Sequence, residues 1–514
     1  MKKLSLLLVA LVLITVITGC QNSNVNNDGD NSGKTGETIP EGGKLFNEPV
    51  TFSLMIPEHA TYPYTEGLFL ETAIAEKYNV NFDVTPVQDG FNDRLSLDIA
   101  SDQMKDLIFM MEYDQVMKAG MQGALIDFNK YIDKMPNFKA WAEENKEYVS
   151  YYKSGNGELF FVPNQGYGAD NETFWLYRRD LFEEHNLTTP KTSEEFYNVL
   201  KILKDKYPDS YPFANRDFIF NLSRIGTQWS TGYPMYYNND QSKWVYGPIE
   251  DNFKEMLIFF NKLYEEDLMP PNSLTLDTKG WQDLISTNNS FITNDYSSRI
   301  DSFNQPMREE NPNFYLDFMP PFKGGENGKA LHDINNTLLI VGMSISSKSK
   351  NVEEAVKFLD TMYTKEAIEL TSWGEEGKTY EVVNDEKHYI DAINDVEVKT
   401  KYGIFQRGFY LVIDPAAMLS YYSIERTEAT QAAQEYNAPY RAPHVPFTTE
   451  AEEQKNILQV NIDTHAQENI SQFILGERPF SEWNDYVEEL KDLGIDDLVN
   501  IYNESYDSFL GNAE

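Results

Sequence analysis

Cysteine is almost missing from this chain: one residue in 514, at position 20. No disulfide can form within the chain, and no multi-thiolate zinc site can be built. Histidine is scarce as well, with six residues scattered at 59, 185, 332, 388, 444 and 465 and no HExxH pair, which excludes zinc hydrolysis of that type. Basic residues are outnumbered: 43 Lys and Arg face 82 Asp and Glu, a formal charge of −39. Such a surface repels nucleic acid and anionic lipid headgroups, and it disfavours a polyanionic ligand only weakly, since a local arginine cluster can override the long-range field. Past residue 17 no apolar run approaches the roughly 20 residues that cross a bilayer.

What is present starts with Lys2 and Lys3, an apolar run from Leu4 to Ile17, and then Thr18, Gly19 and Cys20. A basic start, a short apolar stretch and small residues before a cut site mark a secretory signal peptide over 1–19. A cysteine directly after Thr-Gly resembles the bacterial lipobox, in which the thiol receives a diacylglycerol and becomes the first mature residue. Cys20 is thus the expected lipidation site and lipid the only membrane anchor. Residues 20–45 continue as a Gly/Asn/Ser-rich tether with nothing to bury. The rest is long enough for two or three domains. It carries 32 Tyr, 31 Phe and 7 Trp, an aromatic supply that suits gripping sugar rings better than metal chemistry.

Periodicity gives the order of elements. Strands are expected at Thr51–Ile56, Val80–Val84 and Leu107–Met111. Helices lie between them, one through Phe69, Ala73, Ile74 and Tyr78 and one over Asn92–Ala100. Strand, helix, strand, helix, strand at this spacing marks a parallel α/β sheet. Further on, Thr192 with Glu195 forms a capping box opening a helix through Phe196, Leu200 and Leu203, and Thr449 with Glu452 forms another before a helix running to about Phe473. Short buried strands are expected at Ser290–Asn294 and Leu338–Ile345, and helices at Val352–Tyr363, Ser481–Leu493 and Asp496–Phe509.

Several catalytic signatures fail. Asp28–Gly33 imitates the start of an EF-hand loop, but its twelfth position is Ile39 where a bidentate Glu is required. Gly324–Lys329 imitates a phosphate loop with one residue too few between its glycines and Ala330 in place of Ser/Thr. Gly342–Ser346 lacks the last glycine of a nucleophile elbow. No metal or cofactor is expected.

The middle and end of the chain resemble a known family. FWLYRRDLF at 174–182 with TPKTSEEF at 189–196, TSWGEEGKTY at 371–380, PFTTE at 446–450, and Gly476, Glu477, Trp483 and YVEEL at 486–490 follow in order the signatures of the family 1 extracellular solute-binding lipoproteins of carbohydrate ABC importers. The likeness is to the long Gram-positive subgroup related to alginate-binding proteins. One departure is the stretch Lys206–Arg216, where that type carries an acidic calcium loop. Here alternating Asp/Asn and a closing Glu are absent, so no calcium is expected.

The resemblance implies an α/β fold of the type II periplasmic-binding-protein clamshell with extra C-terminal helices. It divides the mature chain into a first lobe part at 46–165, a largely helical second lobe at 166–330, and returning segments, hinge and helices shared between lobes at 331–514. It implies a monomer on the extracellular face of the membrane that closes on an oligosaccharide, expected to be neutral, and passes it to the transmembrane subunits of an ABC permease. No nucleic acid is expected as partner. A surface glycoside-active enzyme and a peptide-binding receptor are the alternative readings. Loops after strands face the cleft in such sheets. The expected contacts are therefore Glu58, His59, Tyr62 and Tyr64 after the first strand; Gln88, Asp89 and Arg94 after the second; and Glu112, Tyr113 and Asp114 after the third. Asn164, Gln165, Tyr167, Trp175 and Trp229 follow, then Asp295, Tyr296 and Arg299, and finally Trp373 and Glu375 of the WGEEG signature. Stacking is expected from Trp175, Trp229 and Trp373.

Overall fold

The computed structural model describes residues 44–60, 62–166, 172–332, 342–391, 395–438 and 445–513. The expected lipidation site Cys20, the expected tether up to residue 43, Tyr167 and the first part of the expected 338–345 strand lie outside them. The described residues form one unit.

The described strands are β1 (Val50–Pro57), β2 (Val80–Val87), β3 (Leu107–Met110), β4 (Val162–Pro163), β5 (Thr173–Arg178), β6 (Met235–Asn238), β7 (Lys243–Tyr246), β8 (Ile292–Tyr296), β9 (Leu316–Phe318), β10 (Gly342–Ile345), β11 (Tyr380–Val383) and β12 (Glu386–Tyr389). The first sheet has the order β2-β1-β3-β10-β4. β1 runs parallel to β2, with Val50 opposite Val80 and Pro57 opposite Val87, and parallel to β3. β10 enters antiparallel to both β3 and β4. The parallel core expected from sequence is present, and its far edge is closed by a strand that returns from beyond residue 340.

Local chemistry accounts for the element ends. The helix Phe69–Tyr78 carries Glu71 in its first turn and Lys77 in its last, matching the helix dipole. It stops at Asn79, whose φ of 63° is left-handed, a conformation Asn tolerates. β3 reads LIFM with all four residues buried, as a strand covered on both faces requires. The helix Ser193–Lys206 opens on Thr192, which accepts from the Glu195 N–H at 3.2 Å, while Glu195 accepts in return from the Lys191 N–H at 2.8 Å. The second expected capping box is shifted. Thr448, not Thr449, is the N-cap and accepts from the Ala451 N–H. Glu452 lies inside the helix and pairs with Lys455 at 2.9 Å.

The second lobe is built on the antiparallel sheet β8-β5-β9, with β5 central. One face packs Trp175, Phe196, Phe213, Phe260 and Phe322. The same cluster continues through Ile462, Ile470 and Phe473 of the long helix Thr449–Leu475 and through Trp483, Tyr486 and Leu498 beyond it. The C-terminal helices therefore share the core of this lobe. They touch the first lobe at their edges, through the Gly155 N–H on the Phe447 carbonyl and the Tyr151–Phe509 ring contact at 5.4 Å.

Two crossing segments lie side by side between the lobes. The Gln165 N–H donates to the Leu411 carbonyl, and the Ile413 N–H to the Gln165 carbonyl, both at 2.9 Å. At Gly166, with φ of 99°, a Cβ would stand 2.9 Å from the Ile413 carbonyl oxygen, so only glycine allows the two segments to run this close.

Candidate functional site

Between the lobes lies a cleft of about 980 Å3, at the upper end of the range typical of small-ligand sites, roughly 300–1,000 Å3. The first lobe lines it with His59 and Tyr62, from the loop after β1, and with Tyr389, Lys399 and Arg407. The second lobe contributes Tyr296 and Arg299 after β8, then Asp301 and Arg308. The crossing segment adds Tyr421 and Tyr422, and the helix Ile424–Gln434, packed on the second lobe, adds Glu425.

Aromatic rings here are held in place rather than loose. His59 and Tyr62 stack at 4.0 Å between centroids, 5° from parallel. The Lys399 ammonium sits 4.6 Å from the Tyr62 ring centre. The Tyr422 ring carries the Arg426 guanidinium at 3.5 Å, and Arg426, 1 % exposed, reaches the Ser297 hydroxyl at 3.2 Å and Asp301 at 3.4 Å. Burial raises the Asp301 carboxyl above its ordinary value, while Ser423 and Arg426 pull the other way. Arg308 forms a fork with Glu425 at 2.8 and 3.2 Å.

Asp295 is the buried centre of the second-lobe wall. It is 1 % exposed and accepts from Arg216 Nε at 2.7 Å, Arg216 Nη2 at 3.1 Å and Arg299 Nε at 2.8 Å. Burial alone would raise its carboxyl, but Arg299 and Arg216 overcome that and hold it below the ordinary carboxylate value. Asp295 is thus the post that aims Arg299, not a group a ligand can reach.

Of the residues expected at the ligand, the structure brings His59, Tyr62, Tyr296 and Arg299 together in this cleft. Others are engaged elsewhere. Glu58 accepts the Tyr64 N–H, and Tyr64 donates to Glu71. Asp89, like Gln88, is exposed at the start of the Phe91–Ala100 helix, and Arg94 pairs with Asp98 at 2.9 Å. Glu112 accepts from Asn92, Tyr113 donates to the Lys153 carbonyl, and Asp114 stands 3.5 Å from Lys455. Asn164 is buried, and Gln165 holds Trp141 Nε1 at 2.7 Å.

The tryptophans are a correction. Trp175 is 0 % exposed among Phe196, Phe213 and Phe322, and Trp229 is 1 % exposed among Phe259, Phe260 and Phe322. Neither has a face left for a sugar. Trp373 is also buried, and its Nε1 donates to Asp414 on the crossing segment at 2.8 Å. Gly374 follows at φ of 84°, where a Cβ would meet Thr379 Oγ1 at 2.2 Å, and Glu375 pairs with Lys378. The WGEEG signature is a turn that fastens the crossing segment.

Sequence reasoning missed Tyr389, Lys399, Arg407, Tyr421 and Tyr422. One usable signal existed: Tyr421 and Tyr422 directly precede Ser423, the N-cap of the Ile424–Gln434 helix. Among the described residues, no group of three or more His, Cys, Asp or Glu is placed to hold a metal ion, and no helix is long and apolar enough to cross a membrane.

Two α/β lobes, paired crossing segments and a polar, aromatic-lined cleft between them define a clamshell binding protein. The family described as bacterial extracellular solute-binding protein matches residues 60–369, and the chain belongs to it. It is 24 % identical to the fructooligosaccharide ABC transporter substrate-binding protein FusA of Streptococcus pneumoniae, over 97 % of each chain. It is also 24 % identical to lipoprotein LipO of Bacillus subtilis, over 84 % of this chain and 88 % of that one. Among solved structures, the alginate-binding protein AlgQ2 without calcium superposes with a TM-score of 0.78 at 20 % identity, covering 90 % of this chain and 99 % of that one.

Proposed function

We propose that the protein captures an oligosaccharide between its lobes and delivers it to the membrane subunits of an ABC importer. The observation that carries this reading is the cleft, lined from both lobes by tyrosines beside arginines and carboxylates. Sugar faces carry C–H patches that pack on aromatic rings, and hydroxyl edges need fixed polar partners so that none is buried unpaired. A relative named for fructooligosaccharide transport supports the same class of ligand. The ligand touches both lobes only when they are closed, so it stabilises closure by the difference in affinity between the two states. The sugar is released unchanged, and Cys20 holds the protein to the outer face of the membrane as a lipid-anchored monomer.

Small-angle scattering tests the mechanism: a saturating oligosaccharide found by calorimetric screening should shrink the radius of gyration, and an identical curve with and without it would overturn the closure. The anchor has its own test. Cys20→Ala should shed the protein into the medium or leave it unprocessed, and full membrane retention of that variant would overturn lipidation.

A further inference from the structure

The chain as a whole carries almost twice as many acids as bases, whereas the cleft lining holds four bases, Arg299, Arg308, Lys399 and Arg407, against three acids, Asp301, Glu397 and Glu425. On the second-lobe wall, three guanidiniums gather around Tyr296: Arg224 at 5.0 Å, Arg216 at 5.6 Å and Arg299 at 5.8 Å from its ring centre. Arg224 also donates to the Tyr296 hydroxyl at 3.1 Å. The acids beside them are the buried Asp295 and the exposed Asp217. The other carboxylates of this wall are already met, Asp301 by Arg426 and Glu425 by Arg308. Opposite, the first lobe brings Lys399 and Arg407 to the cleft together with Glu397.

Arg299 is the group in this cluster that is free to act. It lines the cleft, and among the described residues only its Nε is hydrogen-bonded, to Asp295. Both terminal NH2 groups are left as a planar pair of donors, held in direction by a buried carboxylate. Such a fork matches a carboxylate or phosphate bidentately. The remote negative charge of the surface does not cancel it, because ions screen exposed charges beyond about 8–10 Å while partly buried groups are screened less.

We infer that the captured sugar carries an acid group, and that Arg299, braced by Asp295 and Arg216, binds that group. The inference rests on the capture reading above and replaces the expectation of a neutral ligand.

Calorimetric titration of the intact protein tests it with trigalacturonate and trimannuronate, the methyl ester of each, maltotriose, and maltose 6′-phosphate. At least one acidic probe should bind about tenfold or more tighter than its uncharged counterpart, and the advantage should shrink as salt is raised. Arg299→Gln should remove most of that advantage, weakening each acid by a larger factor than its methyl ester. Arg299→Lys, which keeps the charge and loses the fork, should retain only part of it. Preference for maltose 6′-phosphate over the uronates would identify the acid as a phosphate ester. Equal binding of acid and ester, or tighter binding of maltotriose, would overturn the inference and leave the capture reading standing. Failure of every sugar would overturn both.

Discussion

Asp295→Ala should cost more stability than any other single change in the cleft wall. The substitution leaves Arg216 and Arg299, at 14 and 18 % side-chain exposure, without their shared counter-ion. Removing one partner of a buried ion pair typically costs about 3–5 kcal/mol, since the remaining charge stays desolvated. Asp295→Asn keeps the shape and some hydrogen bonds, so it should lose less. The same pair sets a pH signature. The folded Asp295 carboxyl lies below its ordinary value, so its contribution is fully present above the unfolded value, about 3.9. It is lost as pH falls through the folded value. Thermal melts from neutral pH downward should show an acid-side loss in the wild type, part of which is absent in Asp295→Ala. A variant that melts like wild type at neutral pH would mean that the two arginines find other partners.

The fold was legible where burial follows a period and illegible where it does not. β1, β2 and β3 alternate or run apolar between turn residues, and their observed ends fall within three residues of those expected. The long C-terminal helix was readable, but its cap was misplaced by one residue, because Thr448 and Thr449 are chemically equal and only backbone geometry separates them. For the site, the loop rule and the cleft lining coincide at the ends of β1 and β8, where His59, Tyr62, Tyr296 and Arg299 reach the cleft. The rule failed after β2 and β3, whose polar residues are consumed by local pairs such as Arg94 with Asp98. Residues 386–425 were opaque for a different reason. The described ones among them form a short hairpin strand, a π-helical turn at Val398–Tyr402, short helical turns such as Pro415–Leu419 and loops, so no long hydrophobic period announces them. Yet they supply Tyr389, Lys399, Arg407, Tyr421 and Tyr422 to the cleft. The tryptophans mislead because polar neighbours in sequence do not fix a ring's exposure. Trp175 sits on the central strand of its sheet, where both faces are covered.

Trp175→Ala should therefore act on stability and spare affinity. Emptying a fully buried tryptophan site typically costs about 3–5 kcal/mol, because the surrounding rings close the cavity only in part. Trp229→Ala falls in the same range, and Gly324, where a Cβ would stand 2.4 Å from that ring, gives its cavity no side chain to collapse inward. Trp175→Phe should lose much less. It keeps most of the volume, and the Trp175 Nε1, which has no hydrogen-bond partner among the described residues, is a desolvated donor whose removal offsets part of the lost packing. The two alanine changes should not add. Trp175 and Trp229 both rest on Phe322, at 5.3 and 5.9 Å between ring centres. Once one cavity lets Phe322 move, the second finds a core already relaxed, so the double variant should lose less than the sum of the singles. Melting curves measure the stability loss, and titration at a temperature where each variant is folded measures affinity. A tryptophan variant that melted near wild type but bound ligand tenfold more weakly would reverse the assignment and return that ring to the cleft.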